Sequence, residues 1–565
     1  MLFRTVVDMQ FLMCQEGGGC SCGKSTIACR PNFITMSAIF RKLSFLTATE
    51  MTVLSFILMS FIGGGVLYMT ERGRQVEVRV PIHQEVRITP VGDATGSGDA
   101  VPSERTEVHT VTMAKKQQGE TFIDSLFTAV SALCVTGLTS TDFSQFTLAG
   151  QIVTLILIQM GGLGIIVFTS MFAFAVFRGL SERLSFKRML AGIVDTEHHY
   201  VRRMIKHVAT YTLLIEGVAA LIMGARLAWS VDPAVINHLN PWWWGLFHSV
   251  SAFNNAGFGL LNTNLVPLAN DVVVNGTVML LIILGGLGYP VLIAFHAAVM
   301  SRLHKVTGYN DELYREDAAL VASPAQLRIA IWGTVLLVLA GTIIPLWIER
   351  SNPALGQTWG QRVMAAAFQS VSTRTAGFNT IDIGALHAAT LFLFMVLMFI
   401  GANPAGTAGG IKIPTVAVLY GYIKDWFMAP GQPVMLFKHA VSKFALSHAI
   451  RLFFFSVMFV FSVIFFITLF ERGYLVTPDP LINFLKVAFE TFSAFGTVGL
   501  SMGFTGGVTS LSAIFSLPSK FLIIITMLVG RLGPLTLLAA LPWKRRYMDA
   551  EPSPDYEDAV KLQIG

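Results

Sequence analysis

Long and short apolar stretches follow one another along the chain in a fixed order. Uninterrupted apolar segments cover about 46–70, 204–229, 326–349 and 448–471, each long enough for the ~20 residues a helix needs to cross a bilayer. Behind each comes a half-apolar stretch, at 121–133, 242–253, 361–371 and 481–495. These are too short to cross and suit a re-entrant helix that enters and leaves by one side. A second long apolar segment closes each unit, at about 148–177, 272–300, 388–423 and 519–541. The pattern predicts an all-α membrane protein built as span, pore helix, loop and span, four times over. Eight crossings place both termini on one side.

A shared motif sits between each short stretch and the segment after it. It reads Ser131-Ala-Leu-Cys-Val-Thr-Gly137-Leu138, Ser251-Ala-Phe-Asn-Asn-Ala-Gly257-Phe258, Ser372-Thr-Arg-Thr-Ala-Gly377-Phe378 and Ser493-Ala-Phe-Gly-Thr-Val-Gly499-Leu500. The glycines are 120, 120 and 122 residues apart, so one unit of ~120 residues occurs in four copies. The expected organisation is a poorly ordered extension over 1–43, repeats over 44–180, 181–301, 302–425 and 426–543, and a tail over 544–565. Repeat 1 includes a long external segment at 71–120, and repeat 3 a broken span at 388–423.

Composition and charge refine this picture. Hydrophobic residues are 53% of the 565, charged residues 13%, and mean hydropathy is +0.62. That leaves too little polar surface for a water-soluble body, which carries roughly 25% charged residues. The net charge of +6 is topogenic rather than a sign of nucleic acid. Arg178, Arg183, Lys187, Arg188, Arg202, Arg203 and Lys206 crowd one linker, whereas 229–240, 261–270, 379–388 and 501–516 contain no Lys or Arg. The basic linker, and with it both termini, is expected in the cytoplasm.

The loops have a chemistry of their own. Irregular backbone at membrane depth is tolerated only where protein buries it or water reaches it. Four copies would therefore meet around a central ion pore. Glycine adopts φ > 0 and turns successive carbonyls towards that axis, where they replace an ion's hydration shell. Each short helix aims its negative C-terminal end at the same place. Uncharged carbonyls suit a desolvated monovalent cation. Asp142 and Asp382, each five residues beyond its glycine, either concentrate cations at the outer mouth or cap the next helical turn.

Two intramembrane anomalies point to a gate. The span of repeat 3 contains Gly401-Ala-Asn-Pro-Ala-Gly-Thr-Ala-Gly-Gly-Ile-Lys412, which no continuous helix survives. Arg531 lies in the middle of the last span, and an intramembrane cation by default faces the interior or a pathway. It would oppose ion passage and hydrogen-bond the carbonyls of the broken stretch. Arg374 is expected as a scaffold donor behind the third loop. Glu216 and Arg226 are expected to pair or to face polar neighbours.

These motifs, with Gly285-Gly-Leu-Gly288 and Gly530-Arg531-Leu-Gly-Pro-Leu-Thr536, resemble the Trk/Ktr/HKT superfamily of potassium transporters, and above all the bacterial KtrB-type, TrkH-like membrane subunit. The resemblance covers about residues 44–565, including an acidic tail from Asp555. It implies potassium uptake through a channel-like selectivity filter. Its potassium-binding carbonyls would belong to Val135, Thr136 and Gly137, to Asn255, Ala256 and Gly257, to Thr375, Ala376 and Gly377, and to Thr497, Val498 and Gly499. Glycine rather than serine at Gly137 points to potassium over sodium. Cys134, where Ser or Thr is usual, and the third loop, one residue shorter, depart from the family pattern. The resemblance also implies a gate formed by Gly401, Ala405, Gly406, Thr407, Gly409, Gly410, Lys412 and Arg531, with sodium as a candidate coupling ion. It implies a homodimer in the cell (inner or plasma) membrane, regulated by a cytosolic KtrA/TrkA-like ring of nucleotide-binding subunits.

Other classes fit less well. Gly18-Gly-Cys-Ser-Cys-Gly-Lys-Ser25 matches a phosphate-binding loop, but Pro31 interrupts the helix it needs, so the chain itself is expected to bind no nucleotide. Four of the five cysteines crowd residues 14–29 and do not form a disulfide framework. No H-E-x-x-H or G-x-S-x-G constellation supports an enzyme. An alternating-access carrier for another solute is the alternative, although such carriers favour inverted rather than parallel repeats.

Overall fold

The computed structural model describes residues 48–73, 75–85, 109–119, 121–163, 198–296, 298, 324–428, 434–437, 439–471, 479–503 and 510–533. All lie in one compact unit, Thr47–Gly565. The extension 1–43, the basic linker from Arg178 to Arg188 and the tail 544–565 fall outside the described residues.

The first unit consists of α1 (Ala48–Glu71), strands β1 (Gln75–Glu85) and β2 (His109–Gly119), and helices α2 (Phe122–Leu133) and α3 (Leu148–Gly162). The second has α4 (His198–Ser230), α5 (Pro241–Phe253), α6 (Val272–Leu287) and α7 (Tyr289–His296). The third has α8 (Pro324–Ile348), α9 (Trp359–Ser372), α10 (Ala388–Phe399) and α11 (Ile413–Met428). A two-residue strand pair, β3 (Met435–Leu436) with β4 (His439–Ala440), leads to α12 (Lys443–Phe470), α13 (Pro480–Gly496) and α14 (Leu517–Leu532). Among the described residues, α1, α4, α8 and α12 each contain a stretch of 20 to 28 residues long and apolar enough to span a bilayer. Their outward faces carry exposed Leu, Ile and Phe, including Phe461 and Phe465 of α12. Trp229, Trp347 and Trp359 are exposed where the long helices end and the short ones begin, as expected of a membrane–water interface.

Each short helix starts on a side-chain cap that satisfies its first amides. Thr121, Asn240 and Asp479 cap α2, α5 and α13, and Thr358 with Gln361 forms a complete capping box on α9. Two buried clusters lock neighbouring units together. One joins residues of α1, α2, α9, α10, α12, α13 and α14, and the other joins residues of α2 to α6 and α9.

The structure corrects the sequence reading in two places. The fold is not purely α, because β1 and β2 pair antiparallel from Gln75↔Gly119 to Glu85↔His109 within the segment 71–120. The stretch 272–300 is not one straight span. It bends by 100° between α6 and α7, where Gly288 adopts φ +82 and Pro290 follows, a residue that offers no amide to continue the helix. The stretch 388–423 is broken as expected, with residues 400–412 non-helical between α10 and α11.

One joint recurs at the same end of the units. Buried Glu71, at the end of α1, accepts from the Thr147 amide (3.1 Å) and hydroxyl (2.5 Å) at the start of α3. Glu349 accepts from the His387 amide (2.9 Å) before α10, and Glu471 from the Ser516 amide (2.9 Å) and hydroxyl (2.6 Å) before α14. The second unit exchanges the charges: Arg226 of α4 donates to Asp271 (2.9 Å), the cap of α6. A carboxylate at a helix N-terminus satisfies free amides and favours the dipole. These joints fix the two long elements that hold each loop between them.

Candidate ion-binding site

The four glycine loops form a closed ring. A Cβ on Gly137 would lie under 3.0 Å from the Ala256 carbonyl oxygen, one on Gly257 from that of Ala376, one on Gly377 from that of Val498, and one on Gly499 from that of Thr136. The obstacle is backbone each time, so no side chain can swing away. Each glycine also has positive φ, from +69 to +96. Space and conformation both demand glycine.

The backbone alternates in hand. Val135, Asn255, Thr375 and Thr497 have φ between 50 and 84, the residue after each does not, and the glycine again does. Such alternation puts successive carbonyls on one side and amides on the other. The amides of Thr136, Ala256, Ala376 and Val498 bond back to the carbonyls of Ser131, Ser251, Ser372 and Ser493 at 2.7 to 2.9 Å. The same serines close the loops with their hydroxyls. Ser131 and Ser493 accept from the amides of Gly137 and Gly499 (3.0 Å each), Ser251 donates to the Phe258 carbonyl (2.9 Å), and Ser372 donates to that of Phe378. Among the described residues, no hydrogen bond ends on the carbonyls of Val135, Thr136, Asn255, Ala256, Thr375, Ala376, Thr497 or Val498. All eight residues are fully buried. Eight unused carbonyl oxygens in a buried ring, at the negative ends of four helices, have the chemistry that suits a desolvated cation.

On one side the ring opens into a vestibule of about 260 Å³ lined by all four glycines, Asp142 and Asp382. Both aspartates also cap short helical turns, accepting from the amides of Ser144 (3.0 Å) and Gly384 (2.9 Å). The capping role offered by the sequence is thus present, and both carboxylates also line the vestibule.

On the other side lies the broken stretch 400–412. Gly409 packs so closely on Thr497 that a Cβ would meet its side chain. The Thr497 and Thr136 hydroxyls, both buried, have no partner among the described residues. The stretch is gripped from several directions. The Thr407 amide and hydroxyl donate to the carbonyls of Gly285 (3.2 Å) and Phe253 (3.3 Å), the Asn403 amide to that of Gly286 (3.1 Å), and the Gly410 amide to that of Gly530 (3.2 Å). The Ala405 carbonyl accepts from the Tyr289 amide (3.2 Å). Gly401 and Gly406 approach the carbonyls of Gly409 and Gly285, and Gly410 and Ala405 have positive φ. Lys412 turns back onto its own stretch and donates to the Ala408 carbonyl (2.5 Å). Arg531 is buried and donates to the carbonyls of Thr407 and Gly161, tying α14 to the stretch and to α3.

Arg374, Glu216 and Cys134 are buried beside the loops, and Arg226 lies at the joint between α4 and α6. Arg374 donates to the Thr334 carbonyl of α8 (3.4 Å). Glu216 and Arg226 do not pair. Glu216 accepts from Asn254 (2.9 Å) and Gln159 (3.2 Å), and Arg226 meets Asp271. Cys134 is buried and free. Sequence reasoning missed the second positive φ in each loop. Only Asn255 gave a signal there, since asparagine tolerates that conformation and Val or Thr rarely does. It also missed the three capping glutamates, although each stands where a long apolar run stops.

Comparison with known proteins places these features in context. The family described as TrkH, a cation transport protein, matches residues 94–544. The chain is 34% identical to the Ktr system potassium uptake protein B of Vibrio alginolyticus, over 77% of this chain and 86% of that one. It is equally identical to the Bacillus subtilis protein of the same name, over 74% and 85%. The potassium/sodium uptake protein NtpJ of Enterococcus hirae is 30% identical, over 76% and 87%. Among solved structures, the potassium transporter TrkH from Vibrio parahaemolyticus shares the fold with a TM-score of 0.54 at 18% identity, covering 75% of this chain and 79% of that one.

Proposed function

The chain belongs to the TrkH cation transport protein family, and from that premise we propose that it takes up potassium across the cell membrane through the glycine ring. It is a multi-pass membrane transporter and not an enzyme. The observation that carries the proposal is the ring itself: each filter glycine abuts the carbonyl of the next loop, round to the first. Main-chain oxygens replace the hydration shell of one potassium ion at a time. The residues at work are Val135 to Gly137, Asn255 to Gly257, Thr375 to Gly377 and Thr497 to Gly499, in four pseudo-symmetric repeats around one pore per protomer. Names carrying potassium among the relatives support this choice of ion, and NtpJ, named for potassium and sodium, supports sodium as a coupling ion.

The stretch 400–412, held by Arg531, serves as the gate between filter and cytoplasm. Both termini face the cytoplasm, as the basic linker suggests. Relatives named as parts of a Ktr system support the presence of partner subunits, and we propose that these form a cytosolic nucleotide-binding ring beneath a homodimer of this chain. Substitution Gly257→Ser or Gly377→Ser tests the filter. Both place a Cβ against a carbonyl at positive φ, and both should lower potassium over sodium discrimination in flux assays by about tenfold or more. Wild-type discrimination in both variants would remove the filter assignment.

A further inference from the structure

One position behind the ring differs in all four loops. The residue before the left-handed position is Cys134, Asn254, Arg374 and Gly496 in turn. The two polar members belong to the second and third loops, and each is fastened to the long helix that opens its own repeat. The Asn254 side-chain amide donates to Glu216 of α4 (2.9 Å), to Gln159 of α3 (3.0 Å) and to its own helix at Val250 (2.8 Å). Gln159 completes the triangle by donating to the other oxygen of Glu216 (3.2 Å). In the third loop, Arg374 donates to the Thr334 carbonyl of α8 (3.4 Å). Glu216 and Thr334 occupy comparable places in their repeats, 118 residues apart.

These groups are deeply buried. Asn254 is 0% exposed, Glu216 2% and Arg374 5%. Ionisable and hydrogen-bonding groups at that depth are costly and are retained where they perform a task. Apolar side chains would fill the same space at lower cost. The two loops so braced are also neighbours in the ring. Gly257 packs on the Ala376 carbonyl, and the Asn255 side chain lies 3.3 Å from the Thr375 hydroxyl.

We propose that Glu216 and Arg374 are positioning residues for ion selection, acting as buried struts that pin the second and third filter loops to α4 and α8. They touch no ion themselves. They set the width of the ring on the side where loops two and three meet, and leave the first and fourth loops to apolar packing. The inference rests on the reading of the ring as a potassium filter.

The experiment compares potassium and sodium fluxes in proteoliposomes holding the full-length protein. Glu216→Leu and Arg374→Met should each lower potassium over sodium discrimination about tenfold, the scale of leaving a buried hydrogen-bonding group without its partner. Glu216→Gln, whose carbonyl still accepts from Asn254, should stay within about threefold of wild type. Discrimination at the wild-type level in folded Glu216→Leu and Arg374→Met would overturn the proposal. So would a Gln variant as poor as the Leu variant, because charge and not the strut would then matter. If Glu216→Leu fails to assemble, Asn254→Ala cuts the same strut at its loop end and should show the same loss. Gly257→Ser separates the two readings. A loss of discrimination there with none in the strut variants refutes only the struts, whereas no loss there refutes the filter.

Discussion

Val135, Thr375 and Thr497 are β-branched residues held at positive φ, a conformation costing roughly 1–3 kcal/mol each. The surrounding structure holds them there: each next amide is bonded to a serine carbonyl and each loop is closed by a serine hydroxyl. The glycines were legible in the sequence because four of them recur at one spacing. The serines recur too, but their role as clasps depends on the loop doubling back, which spacing does not record. Arg531 was legible for a different reason, since a guanidinium inside a span must find acceptors. It donates to Thr407 on the broken stretch and to Gly161 on α3. Truncation to Ala frees both carbonyls and, under the proposed function, removes a positive charge from the cation's route. Arg531→Ala should therefore raise potassium flux several-fold, on the order of 1 kcal/mol of barrier, without changing discrimination, because neither carbonyl belongs to the ring. Stopped-flow uptake into vesicles checks this, and wild-type flux in a folded Arg531→Ala protein would end the gating role.

At the scale of elements, the apolar runs predicted the four long helices and the four short ones to within a few residues. The second segments were harder. Apolarity continues through 272–300 while the backbone turns by 100°, because Gly288 and Pro290 set the direction and apolar side chains do not oppose it. The strands β1 and β2 were not foreseen, since 23 residues separate them in the chain. The glutamate joints were hidden for a similar reason: Glu71 and Thr147 are 76 residues apart. Their energetic weight can be measured. Glu471 is 1% exposed and satisfies both amide and hydroxyl of Ser516. Glu471→Ala leaves those donors unmet at the start of α14 and should destabilise the protein by about 2 kcal/mol. The midpoint of thermal unfolding in detergent should fall accordingly, and an unchanged midpoint would show that the joint carries no stability.

For the whole molecule, the proposed function separates ion supply from ion selection. In the proposed filter the ring selects through neutral carbonyls, and the vestibule in front of it holds Asp142 and Asp382. A carboxylate in a recessed mouth raises the local concentration of cations. Because the vestibule is open to water, added salt screens that field over about 8 Å at physiological ionic strength. Each aspartate also caps a helical turn, so truncation to Ala would confound charge with structure. Asparagine keeps a capping oxygen and removes only the charge. The double variant Asp142→Asn with Asp382→Asn should need about threefold more potassium for half-maximal uptake at low ionic strength, and near wild-type levels at high. Discrimination between potassium and sodium should not move, because both ions feel the same monovalent field. A shift that persists at high salt, or that alters discrimination, would place these carboxylates in the selecting site and not in front of it.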